Sequence, residues 1–512
     1  MTVPLSPDRR PRTAGVLLHP TSLPGPFGIG DLGPAARAWV DRLAAAGQTW
    51  WQVLPLNPPG AGHSPYSALS AFAGNPLLVS PDDLAADGLV TADELAAAHL
   101  PAGRVDYPRA TAAKAALLAK AWERFREVPA RRAELEAFAA THDWLNDYAL
   151  FVAIKESQPP GSWTDWPRDL VARDPAALAG AGRDLADAVD RERFAQFVFF
   201  RQLAALRRYA AARGVKLLGD MPIFLSADSA EVWAKQHLFQ LDAHGRPTVV
   251  AGVPPDYFAA TGQRWGNPHY DWAAMARDGF AWWVARARAA LAQVDAVRID
   301  HFRGFEAYWE VPASCPTALE GRWVKAPGRA LFGALRVALG ESDPLPFVAE
   351  DLGIITPAVD ELRTRFGLPG IRVMQFAFGG AVEERFLPHL YDSNVVACTG
   401  THDNDTTRGW YDTLTPAEVA AFHRYAPEAA RDPVWALTRL TWASVADTAI
   451  APLQDVLALG SDARMNVPGT PTDNWTWRVT EDQLAHDHFD RFGELTTTYG
   501  RSTGARAFSP QE

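Results

Sequence analysis

The sequence predicts an α/β protein: a closed (β/α)8 barrel of the TIM type, with an inserted, mainly helical subdomain and lid-loop insertions. Eight short apolar runs, each ending in polar residues, alternate with helical patterns, and strand–helix alternation demands a parallel sheet. Four of those runs carry an acidic residue at or near their ends, which a barrel would gather at one mouth. The length of 512 residues fits one large barrel with insertions as well as the roughly three domains that about 150 residues each would give.

The first two runs, 15–20 (GVLLHP) and 49–56 (TWWQVLPL), flank a helical pattern over 34–45 that opens on Pro34, a residue suited to the first helical position. The chain from 80 to 205 is too long for one barrel helix. It is rich in Ala, Leu, Arg and Glu with helical periodicity, for example over 110–140 and 144–155, and reads as a helical subdomain with a scaffolding role. The third run is 215–224 (VKLLGDMPIF), followed by an insertion over 226–290. Its part 226–272 is rich in Gly, Pro and aromatic residues with few periodic signals, and long segments of that kind are usually lids or binding loops. Runs 296–302 (AVRIDHF), 346–352 (PFVAEDL) and 370–378 (GIRVMQFAF) come next, the last two separated by a helical pattern over 357–366. Runs 394–403 (NVVACTGTHD) and 446–453 (ADTAIAPL) complete the eight, so that 1–512 reads as one catalytic barrel carrying two insertions.

Composition removes several classes of function. With 49 basic against 60 acidic residues the formal charge is −11, which argues against nucleic acid or an anionic membrane as partner. The only cysteines, Cys315 and Cys398, are far apart, so neither a disulfide framework nor a C-x-x-C metal site is expected, and a reducing cytoplasm is the simple reading. Residues 1–12 have no apolar segment of the secretory kind and no run of eighteen apolar residues occurs, so export by the usual route is not expected.

Three motifs are discounted. Gly28-Ile29-Gly30-Asp31-Leu32-Gly33 matches a dinucleotide fingerprint, but the segment 21–27, with Pro24 and Pro26, separates it from its strand, and no acid ends the next strand. Asp403-Asn404-Asp405-Thr406-Thr407 resembles an aspartyl-phosphate signature, yet no lysine follows Lys325. His486-Asp487-His488 lies in a polar helical stretch and reads as a solvated face rather than a metal site.

The informative pattern is the placement of Asp220, Asp300, Glu350 and Asp403 at the ends of four different runs. Four like charges in one mouth carry an electrostatic cost that is rarely kept without a use. Clustered carboxylates serve either a metal or glycosidic acid–base chemistry. Arg298, His301 and His402 would compete with a metal for the same carboxylates, whereas glycoside chemistry needs one carboxylic acid for the leaving oxygen and one carboxylate for the anomeric carbon. Arg298, two residues before Asp300 and so on the same strand face, can hold and orient it.

Arg298-Ile299-Asp300-His301-Phe302, Ala349-Glu350-Asp351 and Thr401-His402-Asp403 resemble strand-end motifs of the α-amylase superfamily. His19-Pro20-Thr21-Ser22-Leu23-Pro24, Ser64-Pro65-Tyr66, Gly219-Asp220-Met221-Pro222-Ile223 and Gln263-Arg264-Trp265-Gly266-Asn267-Pro268 narrow the resemblance to its amylomaltase branch, the 4-α-glucanotransferases. Gly252-Val253-Pro254-Pro255-Asp256-Tyr257-Phe258, Arg464-Met465-Asn466 and Asn474-Trp475-Thr476-Trp477-Arg478 extend it over about 15–499. The resemblance implies that Asp300 is the nucleophile, Glu350 the acid and base, and Asp403 the group that holds the sugar 2- and 3-hydroxyls. It implies donor-sugar contacts at Ser64, Tyr66, Asp220 and Gln263, and further substrate contacts at Arg298, His301, Phe376 and His402. Asp256, Tyr257 and Trp265 would belong to a loop that covers the cleft. The substrates implied are maltooligosaccharides and starch- or glycogen-derived α-glucans, with glucose as an acceptor, and no cofactor. The chain departs from many relatives at Ala61-Gly62-His63, where they carry an aromatic residue and an acid at a secondary glucan site. Neither the β-sandwich that follows an amylase barrel nor an N-terminal carbohydrate-binding module is expected. An α-glucan hydrolase with the same triad and a non-catalytic glucan-binding protein stand as the alternatives.

Overall fold

The computed structural model describes residues 11–255, 260–341, 344–379, 384–485 and 487–502. Its strands, in chain order, are β1 (Thr13–Leu17), β2 (Trp50–Gln52), β3 (Lys216–Pro222), β4 (Val249–Val253), β5 (Gln263–Pro268) and β6 (Ala296–Asp300). They continue with β7 (Ala307–Pro312), β8 (Arg322–Lys325), β9 (Phe347–Ala349), β10 (Gly370–Val373), β11 (Val395–Cys398) and β12 (Thr448–Pro452). Eight of them form a parallel sheet in the order β10-β11-β12-β1-β2-β3-β6-β9. The Ala349 amide donates to the Pro369 carbonyl at 2.8 Å, joining the two ends of that order and closing the barrel.

All eight apolar runs of the sequence become barrel strands, because a parallel strand covered on both faces must be apolar nearly throughout. The strands are shorter than the runs. Run 370–378 is extended only to Val373 and then turns into a 3-10 segment, Met374–Ala377, so Phe376 sits on a turn and not on a strand. Gly15 lies where β1 and β2 come closest: a β-carbon there would fall 2.3 Å from the Trp50 carbonyl oxygen. Helix Pro34–Ala45 begins on its proline as expected, and Pro357–Arg365 does the same.

The segment 226–272 differs from its reading as a structureless stretch. It holds the helices Ala230–Ala234 and, at its end, the start of Trp272–Arg277, together with β4 and β5. With β7 and β8 these strands make a second, antiparallel sheet in the order β5-β4-β7-β8. The glycines and prolines that obscured the strand pattern are structural: a side chain on Gly252 would meet the Gln263 carbonyl oxygen at 2.3 Å. Asp256, Tyr257 and Phe258 fall outside the described residues.

Between β2 and β3 the chain is helical, and the last helix, Ala186–Ala211, runs unbroken through position 205. Its C-terminal half buries Leu203, Leu206 and Ala210 beside the barrel, while its N-terminal half packs Phe194 and Phe197 against Phe125 of helix Tyr107–Arg126. One rigid rod thereby joins barrel and insertion. A second tie is Lys114, buried, whose ammonium donates to Asp31 Oδ2 at 2.8 Å and to the carbonyls of Leu77 and Val79. That pairing gives the G-x-G-x-x-G segment a structural role, since Asp31 also accepts from the Gly33 amide at the start of the first barrel helix.

Six of the largest fully buried side chains are tryptophans, among them Trp39, Trp51, Trp283 and Trp442. Arg286 is buried among Trp282, Trp283 and Tyr270 and donates to the carbonyls of Pro222 and Ile223, fixing the C-terminal end of β3 where the site begins.

Candidate active site

The C-terminal ends of β3, β6, β9 and β11 open into one cleft of about 760 Å³. Asp300, Glu350 and Asp403 all line it, with Arg298, His301 and His402 among them. Register explains part of the grouping. Asp220 is the direct partner of Arg298 across β3 and β6, and Pro222 that of Asp300, so Asp220, Arg298 and Asp300 point to the same face.

Arg298 is the hub. Its Nη1 donates to both oxygens of Asp220, at 2.7 and 2.9 Å, and its Nη2 to Asp300 Oδ1 at 2.9 Å. Burial opposes charge on this guanidinium, but Asp220 and Asp300 outweigh it and hold the proton more firmly than usual. Tyr66 adds a second donor to Asp220, its hydroxyl lying 2.8 Å from Oδ2. Burial pushes both the Asp220 carboxyl and the Tyr66 phenol up; at Asp220 Arg298 works against it first, followed by His402 and the Tyr66 hydrogen bond. Asp220 therefore stands behind Arg298 and Tyr66 with no side-chain exposure and is not part of the cleft lining.

Glu350 follows β9 directly. Its Oε2 accepts from the His301 amide and its Oε1 from the Leu352 amide, both at 2.7 Å. The first contact requires a sharp turn after β6, and His301 makes it with a left-handed φ of 52°. Burial, and then the Asp300 charge, push the Glu350 carboxyl up to about 7. Arg298 and the two amides pull in the other direction and lose.

Asp403 is the open member, with 47% of its side chain exposed. Its Oδ1 accepts from Asn466 Nδ2 at 2.6 Å and lies 3.3 Å from His402 Nε2. Arg464 secures the backbone by donating to the Asp403 carbonyl at 2.6 Å. His402 is itself fixed by stacking on Tyr66, centroids 4.9 Å apart. Ser64 accepts from the Tyr66 amide at 3.2 Å, holding the turn that presents the phenol.

On the rim, Trp265 is 40% exposed, meets His301 edge-on at 4.8 Å and donates from Nε1 to Gln263 Oε1 at 3.1 Å. The His301 Nε2 is buried and has no hydrogen-bond partner among the described residues, while its ring faces this wall of the cleft. Burial lowers His301 to about 4, so it meets the cleft as a neutral imidazole near neutral pH. Phe376, on its turn, packs against Phe386 and is outside the cleft lining. Asp256 and Tyr257 lie outside the described residues.

The structure adds residues that sequence reasoning did not place in the site. Asn466 and Trp475 line the cleft; their blocks were visible only as a resemblance, because the loops that carry them have no periodic pattern. Ser162 and Asp228 do so as well. Nothing in the sequence signals Ser162, which reaches the cleft from the helical insertion, so that insertion is more than scaffold. Among the described residues no cluster of His, Cys, Asp and Glu is arranged to hold a metal ion; of the His486-Asp487-His488 motif, His486 lies outside them.

A barrel whose mouth joins a guanidinium-held aspartate, a carboxyl displaced to about 7 and a solvent-facing aspartate defines an enzyme of the two-carboxylate glycoside class. The family model described as glycoside hydrolase family 77, 4-alpha-glucanotransferase, matches residues 18–484, and the chain belongs to that family. It is 52% identical over 490 residues to a 4-alpha-glucanotransferase of Thermus thermophilus, covering 93% of this chain and 97% of the relative. A 4-alpha-glucanotransferase of a Synechocystis strain is 48% identical over 497 residues, covering 96% and 98%. Among solved structures, an amylomaltase from Streptococcus agalactiae in complex with acarbose superposes with a TM-score of 0.93 at 37% identity, covering 96% of this chain and all of that one.

Proposed function

We propose that the protein transfers a segment of an α-1,4-glucan to the 4-hydroxyl of an acceptor glucan or of glucose, by two successive displacements at one anomeric carbon. The observation that carries this reading is the pairing of Glu350, poised at about 7, with Asp300 in one open cleft. In the first step an Asp300 oxygen bonds to the anomeric carbon as the C1–O4 bond breaks, and Glu350 gives its proton to the departing O4. In the second, the acceptor 4-hydroxyl loses its proton to the Glu350 carboxylate and bonds to C1 as the Asp300 ester breaks. Two inversions retain the α configuration. A carboxyl near 7 suits both giving and retaking a proton at neutral pH.

Asp403 holds the 2- and 3-hydroxyls of the reacting ring through the oxygen lone pairs that Asn466 and His402 leave free. Arg298 acts through Asp300, and Asp220 acts through Arg298 and Tyr66 rather than on the sugar. His301, whose ring belongs to the cleft wall as a neutral imidazole near neutral pH, is the substrate contact beside Asp300 in this reading. Asp256, Tyr257 and Phe376 keep their roles as outer substrate contacts in this reading. A cytoplasmic location accords with two free cysteines, Cys398 buried and Cys315 partly so. No helix among the described residues is long and apolar enough to cross a membrane.

Transfer requires that water at about 55 M lose to a dilute sugar hydroxyl, so the intermediate must be shielded. Trp265, projecting beside His301, is placed to do that. Incubation with maltotriose is expected to give longer and shorter maltooligosaccharides with little gain in reducing ends. Trp265→Ala is expected to raise hydrolysis relative to transfer several-fold. Reducing ends accumulating in the parent protein as fast as chains are redistributed would favour the hydrolase reading, and an unchanged ratio in the variant would remove Trp265 from the water-excluding role.

A further inference from the structure

We propose that Asp228, on the loop after β3 and held there by the helical insertion, is an outer glucan subsite that makes the enzyme prefer longer chains. The inference rests on the glucan-transfer reading above and extends it to a wall of the cleft that none of the triad touches.

Asp228 lies on the loop after β3. In an eight-stranded barrel of this order, β3 is four strands from β11 in either direction, so this loop stands across the mouth from Asp403. Both residues line the same cleft. A chain whose reacting ring is held at Asp403 and which crosses the catalytic carboxylates would next meet the Asp228 wall.

The Asp228 carboxylate is built into place, and by the insertion. Lys155 Nζ, at the end of helix Leu145–Ser157, donates to Asp228 Oδ2 at 2.6 Å and to the Gly161 carbonyl at 2.8 Å. The Trp163 amide donates to Asp228 Oδ1 at 3.2 Å, and the Trp163 indole to the Ala227 carbonyl at 2.8 Å. The Trp163 ring is fully buried, and Gly245 leaves room for it: a β-carbon there would lie 2.2 Å from Cη2. Three bonds and one buried anchor thus lock the insertion to the barrel loop at the point where Ser162 and Asp228 line the cleft.

The locking leaves binding capacity. A carboxylate has about four acceptor positions, and the protein fills two of them here. With 31% of the Asp228 side chain exposed in a residue that lines the cleft, the other two are left for a ligand. Two acceptor oxygens on a rigid carboxylate match the spacing of adjacent hydroxyls on a glucose ring, the same chemistry proposed for Asp403. Lys155 supplies the counter-charge from the side away from the sugar, so neither ion is left unpaired when the cleft is empty. A purely structural ion pair has no need of a place in the cleft wall; this one has its carboxylate residue there, with 31% of the side chain exposed.

The experiment compares kcat/KM for maltotriose and maltoheptaose in the parent and in Asp228→Asn, which keeps the shape and an acceptor for the Trp163 amide. The ratio of maltoheptaose to maltotriose kcat/KM should fall about tenfold, the scale of a lost hydrogen bond to a charged group. The loss should appear in KM with kcat largely kept. Asp228→Ala, with melting temperature measured alongside, guards against a folding artefact: it should shift the same ratio at least as far. Equal losses for both substrates, or a loss in kcat alone, would overturn the subsite and leave a structural clamp. Absence of maltotriose transfer by the parent protein would instead overturn the reading on which the subsite rests.

Discussion

Asp300→Asn is expected to abolish transfer, lowering kcat by at least about 10³-fold while oligosaccharide binding persists. The amide keeps the shape of the carboxylate and an oxygen for Arg298 Nη2, so the loss reports missing nucleophilicity and not a collapsed site. A second consequence separates this account from a merely damaged enzyme. The Asp300 charge is, after burial, the main influence that raises Glu350 to about 7. Removing that charge while Arg298 stays should let Glu350 ionise more readily, so its titration, followed by infrared difference spectroscopy, should move below about 7. Retention of more than a few per cent of activity would exclude Asp300 as the nucleophile.

The second large effect concerns Glu350. Glu350→Gln should lower transfer from maltooligosaccharides by about 10²- to 10⁴-fold, the range for a positioned acid–base group. A donor with a fluoride leaving group needs no proton on departure, so its first step should be largely spared. In the parent protein kcat/KM should fall above an apparent pKa of about 7, because a Glu350 that has lost its proton cannot protonate O4. That limb should vanish in the variant when the fluoride donor is used. The same shift bears on stability. A carboxyl raised in the folded state contributes stability that is present below its unfolded value, about 4.3, and is lost as pH rises through about 7. Glu350→Gln should therefore be at least as stable as the parent at pH 8, as expected where a site keeps a buried acid for chemistry rather than for folding.

The barrel was legible because its physics is local. Each strand is a short apolar run, several connecting helices open on a proline, as Pro34–Ala45 and Pro357–Arg365 do, and the period of alternation leaves one architecture. The carboxylates were legible for the same reason: Asp300 and Glu350 terminate strands, and a barrel turns strand ends into neighbours. The antiparallel sheet β5-β4-β7-β8 was not: β4 and β5 carry glycines at positions such as the close approach at Gly252, and glycine is what a strand pattern least displays. Nor could the sequence tell that Asp220 lies behind Tyr66 and Arg298. Its position on β3 was clear, but whether a carboxylate at a strand end meets substrate or an arginine depends on a partner 78 residues away. Ser162 and Asp228 lay further out of reach, since the wall they form arises where two insertions meet, and no short-range pattern records that meeting.

The central claim is a covalent glucosyl-enzyme on Asp300, and trapping tests it most directly. A slow fluorosugar α-glucosyl fluoride would be incubated with the enzyme, which is then quenched, digested and mapped by mass spectrometry. One fluoroglucosyl adduct on the peptide carrying Asp300, lost again when maltose is added before the quench, is the result this account predicts. No adduct, or an adduct on Glu350 or Asp403, would contradict it.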